Sequence, residues 1–472
     1  VYDRSQGKFR FSIGYETTAQ LTVRTVAVAE AFGLGVDEAR KFSVLDCEIS
    51  IGPRDVVYVT GDSGSGKSVL LRAIKADLGD EAADLNEVIV DPDKPLIEAV
   101  GTTVEQGLEL LSRVGLNDAF LFLRPYRELS DGQKFRYRIA KLIESGAPWW
   151  LADEFCSTLD RDTAKIVAFN LQKVARALGK AVVVATVHRD LLRDLAPDVH
   201  VHKRFGKEIS VQYITNAHIP QCSLAHEMQI KPGTREDWHC LEAFHYRSRN
   251  LPPAVRRIFS MWRGDELCGV IVYNYPPASC GGRGKVLPKM SLRELNAQLS
   301  IISRVVVHPK YRTIGLGAQL ISETLPLAGT PFVEMSAVMA KYNPFAERAG
   351  MRLVALQHPT REVVKIADTL QTLGFDLQLL ASQKQVLSRL EGLKAEEVAS
   401  LKGTLKRHIN PRIRKEASQV QGMPYGKKLQ YIRAINCADL AKLAKLIGVV
   451  GALLQVKAYL FWEKKMGKIE LQ

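Results

Sequence analysis

At 472 residues, with 46% hydrophobic and 25% charged residues, the chain is long enough for roughly three domains and has the make-up of an ordinary globular protein, which argues against wholesale disorder. A formal charge of +14 favours an anionic partner, either nucleic acid or an acidic surface, and says nothing about fold. Seven cysteines, odd in number and without C-x-x-C spacing, argue against a disulfide framework and fit a reducing cytosol.

Residues 56–60 (VVYVT) are a β-branched run followed by GDSGSGKS at 61–68 and then by the helical pattern VLLRAIKADL. Strand, glycine loop and helix in this order read as a phosphate-binding loop. Gly61, Gly64 and Gly66, with Ser63 and Ser65 between them, let backbone N–H groups turn inward around phosphates. Lys67 reaches the outer phosphate oxygens and Ser68 holds Mg²⁺. The segment WWLADEF (149–155) predicts an apolar strand ending in two carboxylates, with Asp153 at the metal and Glu154 orienting the attacking water. Between these motifs, LSDGQ at 129–133 opens the amphipathic stretch KFRYRIAKLI.

In this order the motifs resemble those of the ABC superfamily. LSDGQ is similar to its LSGGQ signature, Ser157-Thr158-Leu159-Asp160 to its D-loop, and His188 after AVVVATV to its switch histidine. The resemblance implies an ATPase that closes as a homodimer, with Ser130, Gly132 and Gln133 of one subunit on the nucleotide of the other. It also implies catalytic roles for Glu154 and His188, and adenine stacking by Phe42, for which a core phenylalanine is the competing reading. Two positions depart from the family. Asp131 replaces a glycine and brings negative charge near the phosphate, and no clear Q-loop is present. Gln106 is one candidate for it, and a solvated helix residue is its other reading.

From about 216 to 365 the pattern changes. Strand-like LCGVIVYNY (267–275) leads to the Gly-rich PPASCGGRGK, then LSIISRVVV (299–307), then HPKYRTIGLGAQLISETL. Arg312, Thr313, Ile314, Gly315, Leu316 and Gly317 lie between a strand and a helix, where backbone N–H groups point at an anion. With NPFAERAGM at 343–351, this resembles the acyl-CoA pyrophosphate loop of the GNAT acyltransferases, which adds Val305 and Val307 as acyl-CoA contacts and acetyl-CoA or another acyl-CoA as donor. Ser303 and Ala346 stand where many members keep an acid and a tyrosine, so Ser303, Arg304, His308, Tyr342 and Asn343 remain the polar candidates, of which Ser303, Tyr342 and Asn343 are taken as catalytic. The run FHYRSRNLPPAVRRIF with the strands after it is also similar to the Mom family of phage DNA-modifying enzymes. His239, Cys240 and His245 are close together but fit no standard zinc spacing.

From Arg361 onward 20 Lys and Arg face 10 Asp and Glu, so most of the chain's net charge lies there. Leu and Val at helical spacing predict a basic helical appendage, with Lys406, Arg407, Arg412, Arg414 and Lys415 suited to a phosphate backbone. The longest apolar run, Leu446 to Trp462, is too short for a membrane span and predicts a buried helix.

The expected fold class is α/β, with an ABC ATPase domain at 1–215, an α+β GNAT-like domain at 216–365 and a basic helical region at 366–472. The expected function is cytoplasmic, ATP-controlled acyl transfer to RNA or DNA by a homodimer, with ATP and Mg²⁺ as cofactors and no permease implied. An ATP-gated protein or small-molecule N-acetyltransferase, or a non-catalytic clamp or translation-type factor, are the alternatives.

Overall fold

The computed structural model describes residues 1–18, 20–35, 40–116, 119–215, 219, 221–245, 251–252, 254–338, 343–417 and 428–464. The chain divides into two compact units, Val1–Asn274 with Ser303–Ala328, and Tyr275–Ile302 with Gly329–Gln472. The sequence segment 216–365 therefore contributes to both.

The first unit starts with three antiparallel strands, β1 (Tyr2–Asp3), β2 (Lys8–Thr17) and β3 (Arg40–Ser50), with helix α1 (Val23–Phe32) between the last two. A six-stranded sheet follows, built from β4 (Val56–Thr60), β5 (Ala82–Asp84), β6 (Trp149–Ala152), β7 (Ala181–Thr186), β8 (Val199–Lys203) and β9 (Ile209–Tyr213). Its order is β5-β6-β7-β4-β8-β9, parallel except for β9. Helices α2 (Lys67–Leu78), α3 (Val104–Arg113), α4 (Asp131–Glu144) and α5 (Arg161–Leu178) belong to the same unit.

Strands β4, β6 and β7 are buried at every position, as expected for parallel strands covered on both faces. Their side chains alternate between two cores. Val57, Val59, Leu151 and Val183 pack with Leu70, Leu71 and Ile74 of α2. Val56, Tyr58, Trp150 and Val182 pack with α4 and α5. Each such aliphatic side chain stabilises the sheet by about 2 kcal/mol, and the parallel strand ends sit where phosphate-binding loops form.

The first unit also contains β10 (Gln229–Pro232), β11 (Val255–Arg263) and β12 (Glu266–Asn274), an antiparallel meander. Strand β13 (Leu299–Val307) is divided, its last five residues lying in this unit. Helix α6 (Leu316–Thr324) follows it.

In the second unit the first residues of β13 pair in parallel with β14 (Phe332–Ala337), from Leu299↔Phe332 to Ile302↔Met335. β15 (Arg352–Gln357) and β16 (Lys457–Glu463) complete this run in the order β14-β16-β15, both pairings antiparallel. Between β15 and β16 the chain forms α7 (Arg361–Thr372), α8 (Gln383–Glu391), α9 (Ala395–Arg407), α10 (Pro411–Ala417), α11 (Lys428–Asn436) and α12 (Leu440–Leu453). These helices share one apolar core that includes Ile366, Leu390, Leu405, Tyr431 and Ile447. The buried helix expected over 446–462 is corrected. α12 stops at Leu453, and KAYLFWE forms β16 instead. Its Tyr, Phe and Trp suit a pleated surface, and it gains partners on both sides from β14 and β15. Among the described residues no helix is long and apolar enough to cross a membrane.

Candidate active site

The phosphate loop joins β4 to α2. Gly61, Gly64 and Gly66 adopt φ of 151°, 76° and 102°, which side-chain-bearing residues rarely reach. At Gly61 a Cβ would fall 2.1 Å from the carbonyl oxygen of Lys203, so only glycine fits between the loop and β8. Ser63 and Gly64 are exposed at the loop's crest, and Ser68 is half-buried in the first turn of α2. Lys67 Nζ donates to the carbonyls of Gly61 (2.9 Å) and Asp62 (2.7 Å). Burial holds Lys67 below the usual lysine range, while the nearby carboxylates of Asp153, Asp62 and Glu154 oppose that shift. The Ser65 hydroxyl is buried without a partner. An orphaned hydroxyl, inward-turned glycines and a lysine held on its own loop form a cradle that fits a nucleotide's phosphates.

Beside the loop, β6 ends at Ala152 and the chain turns sharply, with Glu154 and Cys156 at φ of 49° and 56°. Phe155 N–H anchors the turn by donating to Ala185 O at 2.8 Å. Asp153 Oδ1 accepts from Glu154 N–H at 2.9 Å, which leaves the Glu154 side chain exposed. Ser68 and Asp153 are the residues that would hold Mg²⁺, and Glu154 the one that would orient water. His188 follows β7, and its carbonyl accepts from Tyr58 OH at 2.5 Å. The D-loop residue Asp160 caps α5 by accepting from Thr163 N–H at 3.0 Å, and Arg161 Nε donates to Asp190 Oδ2 at 2.9 Å, tying the D-loop to the segment after His188.

In the signature, Leu129 is buried while Ser130 is exposed at the N-cap of α4. Ser130 and Gln133 form a reciprocal capping box, so both side chains are committed to the helix start. A Cβ on Gly132 would meet Thr163 at 3.3 Å, which brings the signature against α5. The Asp131 side chain is 78% exposed and lies 4.0 Å from Lys134, so solvent screens the charge that departs from the family pattern. Phe42 is 53% exposed on β3, and Tyr15, its cross-strand partner on β2, is 48% exposed. The core reading of Phe42 is thereby corrected, and Tyr15 joins it as a second open aromatic face.

Of the two readings of Gln106, the exposed helix residue is the one its surroundings fit. Its Oε1 accepts from Thr102 N–H and hydroxyl at the start of α3. A residue that touches the backbone beside the carboxylates is Asn86, just past β5, whose Nδ2 donates to the main-chain carbonyl of Asp153 at 3.3 Å. The sequence hid Asn86 because β5 has only three residues, and its place is set by pairing with β6.

Gly315 N-caps α6 at φ 94° with no side-chain cap, and a Cβ there would meet nothing within 4 Å. Gly317 lies in the first turn, and Val305 and Val307 are half-buried on β13. Ile314 and Leu316 point into the core. Arg312 Nε donates to Val307 O at 3.0 Å, and Thr313, at φ 79°, accepts from Asn170 Nδ2 of α5. Ser303 lies against the carbonyl of Val272 and the side-chain oxygen of Asn274. Asn343 is half-buried, and Tyr342 lies outside the described residues. His239 pairs with Glu242 at 2.8 Å, and among the described residues no group of three His, Cys, Asp or Glu could hold a metal. In the second unit Arg407, Arg412 and Lys415 are exposed, Arg414 is half-buried, and Lys406 donates to Asn436 Oδ1 at 2.9 Å.

No protein-family profile matches the chain. The cytochrome c biogenesis ATP-binding export protein CcmA of Gluconobacter oxydans is 36% identical over 160 residues, 30% of this chain and 74% of that protein. The methionine import ATP-binding protein MetN of Corynebacterium efficiens is 30% identical over 194 residues, covering 33% of this chain and 53% of its own length. MetN 2 of Rhodococcus jostii is 30% identical over 220 residues, 38% of this chain and 62% of its own. This chain thus spans little more than half the length of these methionine import relatives. A dimeric ATP-binding cassette bound to ADP and Pi is 20% identical with a TM-score of 0.32, covering 37% of this chain and 92% of that one. With the likeness covering about a third of its length, this chain belongs to the ATP-binding cassette ATPases.

Proposed function

We propose that the chain works as a homodimer in which ATP binding and hydrolysis control a GNAT-like acyl transfer to a nucleic acid. The exposed signature supports closure on a second copy, since Ser130 stands free of its own core at a helix N-terminus. Closure would bring Ser130, Gly132 and Gln133 onto the partner's nucleotide, while Glu154 orients water and His188 contacts the outer phosphate.

The observation that carries the acyl-transfer reading is the run β13, glycine loop, α6, β14. Its two strands are parallel, and an uncapped helix N-terminus follows the first of them. That combination favours a phosphate-bearing ligand, and open space at Gly315 leaves its backbone approachable. An acyl-CoA would supply the acyl group when bound. Arg312, Thr313, Gly315 and Gly317 would hold its diphosphate, with Val305 and Val307 beside its pantetheine arm. Ser303, Tyr342 and Asn343 are the candidates for handling the acceptor.

The acceptor reading rests on charge. Arg407, Arg412 and Lys415 are exposed at the end of α9 and on α10. Binding of single-stranded, duplex and structured RNA or DNA should weaken steeply with salt, each neutralised phosphate adding about 0.9 to the log–log slope for duplex DNA. Replacing these three residues by Gln should flatten the slope by about two to three units. No binding near physiological salt would end the nucleic-acid reading, and nucleoside mass spectrometry from cells with and without the protein would identify a modified base.

Ser303 favours a second reading. Its one hydroxyl proton has two acceptors in place, Val272 O and Asn274 Oδ1, which suits a non-catalytic clamp whose second loop binds a ligand without transferring it.

A further inference from the structure

Strand β8 alternates buried and half-buried positions, with Val199, Val201 and Lys203 on its buried side. Val199 and Val201 join the apolar core beneath α2. The next place on that face is taken by a lysine, and it is fully buried. Burial holds Lys203 below the usual lysine range, against the opposing pull of Cys47 and Glu208. An apolar residue of similar length would fill the place at lower cost, so packing alone does not account for a cation there.

The contacts of Lys203 point to the phosphate loop. Its Nζ donates to the carbonyls of Arg204 (2.6 Å) and Gly206 (2.5 Å), and so grips the β8–β9 turn on both sides of Phe205. Phe205 is 63% exposed. All three positive-φ glycines of the loop face this segment. A Cβ on Gly61 would strike Lys203 O, one on Gly66 would lie 3.7 Å from Lys203 Cε, and one on Gly64 would lie 3.9 Å from the Phe205 ring. Val44 of β3 closes in from another side, 2.6 Å from a Cβ on Gly66.

We propose that Lys203 is a positioning residue of the ATP site, whose ammonium holds the turn at 204–206 as the mould against which Gly61, Gly64 and Gly66 set the phosphate loop. The inference rests on the ATPase reading of that loop and assigns Lys203 no contact with nucleotide. Without the ammonium the turn loses both grips, Phe205 leaves the loop's crest for part of the time, and the loop spends less time in its binding geometry. Nucleotide affinity falls with that lost population, while turnover of bound ATP does not.

The test compares wild type with Lys203→Met in steady-state Mg²⁺·ATP hydrolysis, Mg²⁺·ADP calorimetry and thermal unfolding of the full chain. Met keeps the volume and removes the charge, and the freed carbonyls belong to exposed residues, so the melting temperature should hold within about 2 °C or rise. KM for ATP and Kd for ADP should rise roughly tenfold with kcat within about twofold, as when only one loop in ten is competent. Phe205→Ala should raise KM about threefold and Phe205→Tyr should restore it, which carries the test if Lys203→Met fails to fold. Unchanged KM and Kd in Lys203→Met, whatever its melting temperature, would make the lysine a residue of the core alone and overturn the proposal, as would a wild-type KM in Phe205→Ala. Wild type that binds no nucleotide would overturn the ATPase reading itself, and the proposal with it.

Discussion

Two glycine loops in the first unit invite comparison, because each joins a strand to a helix N-terminus yet they are built differently. At Gly61–Ser68 three glycines sit at positive φ and the backbone packs so closely that a Cβ on Gly61 would strike Lys203 O at 2.1 Å. At Arg312–Gly317 the one positive-φ glycine faces open space, and the strained residue is Thr313, held by Asn170 from another element. The first loop is legible in the local sequence, since three positions at positive φ call for glycine, and its tight packing against Lys203 adds to that demand. The second depends on a tertiary contact 143 residues away in the chain, which no local pattern announces.

The largest expected effect lies at the first loop's acidic neighbour, Glu154. Glu154→Gln should retain ATP binding and lose turnover by about 100-fold or more, with a nucleotide-locked dimer on light scattering. A normal hydrolysis rate would remove Glu154 from that role. Next, Gly61→Ala should destabilise by about 2–3 kcal/mol in urea unfolding and abolish nucleotide binding, because backbone must shift to admit the methyl group. Asn86→Ala should lower Mg²⁺-dependent turnover by roughly tenfold through the Asp153 carbonyl, with little change in stability.

At the second loop the effects should be smaller. Gly315→Ala meets no clash and should cost about 1 kcal/mol through its φ alone. Asn170→Ala should likewise cost about 1 kcal/mol, while raising amide exchange at 312–317 because Thr313 is released. If Asn170→Ala proved as damaging as Gly61→Ala, the contrast between a locally and a remotely specified loop would vanish.

The same contrast explains what could be read from the sequence. LSIISRVVV gives β13 to the residue, and the phosphate loop and paired carboxylates lie where their patterns put them, because period and glycine spacing are local. Asn86 escaped because β5 is three residues long and gains meaning only beside β6. Trp462 and its neighbours read as helix because an apolar run has no period of its own, and pairing with β14 and β15 decided for strand. Lys406 counted as a free cation until the fold brought α9 and Asn436 together. Arg136 reads as one more polar residue of an amphipathic helix, and only packing shows it buried and unpaired.

Calorimetry with coenzyme A on the wild-type chain tests most directly whether the second glycine loop is a phosphate cradle. One site per chain is expected, lost in Gly315→Val because the bulky side chain closes the open approach, with Mg²⁺·ATP binding at the first loop unchanged. No heat of binding to the wild type, or binding that Gly315→Val leaves intact, would contradict the acyl-donor role.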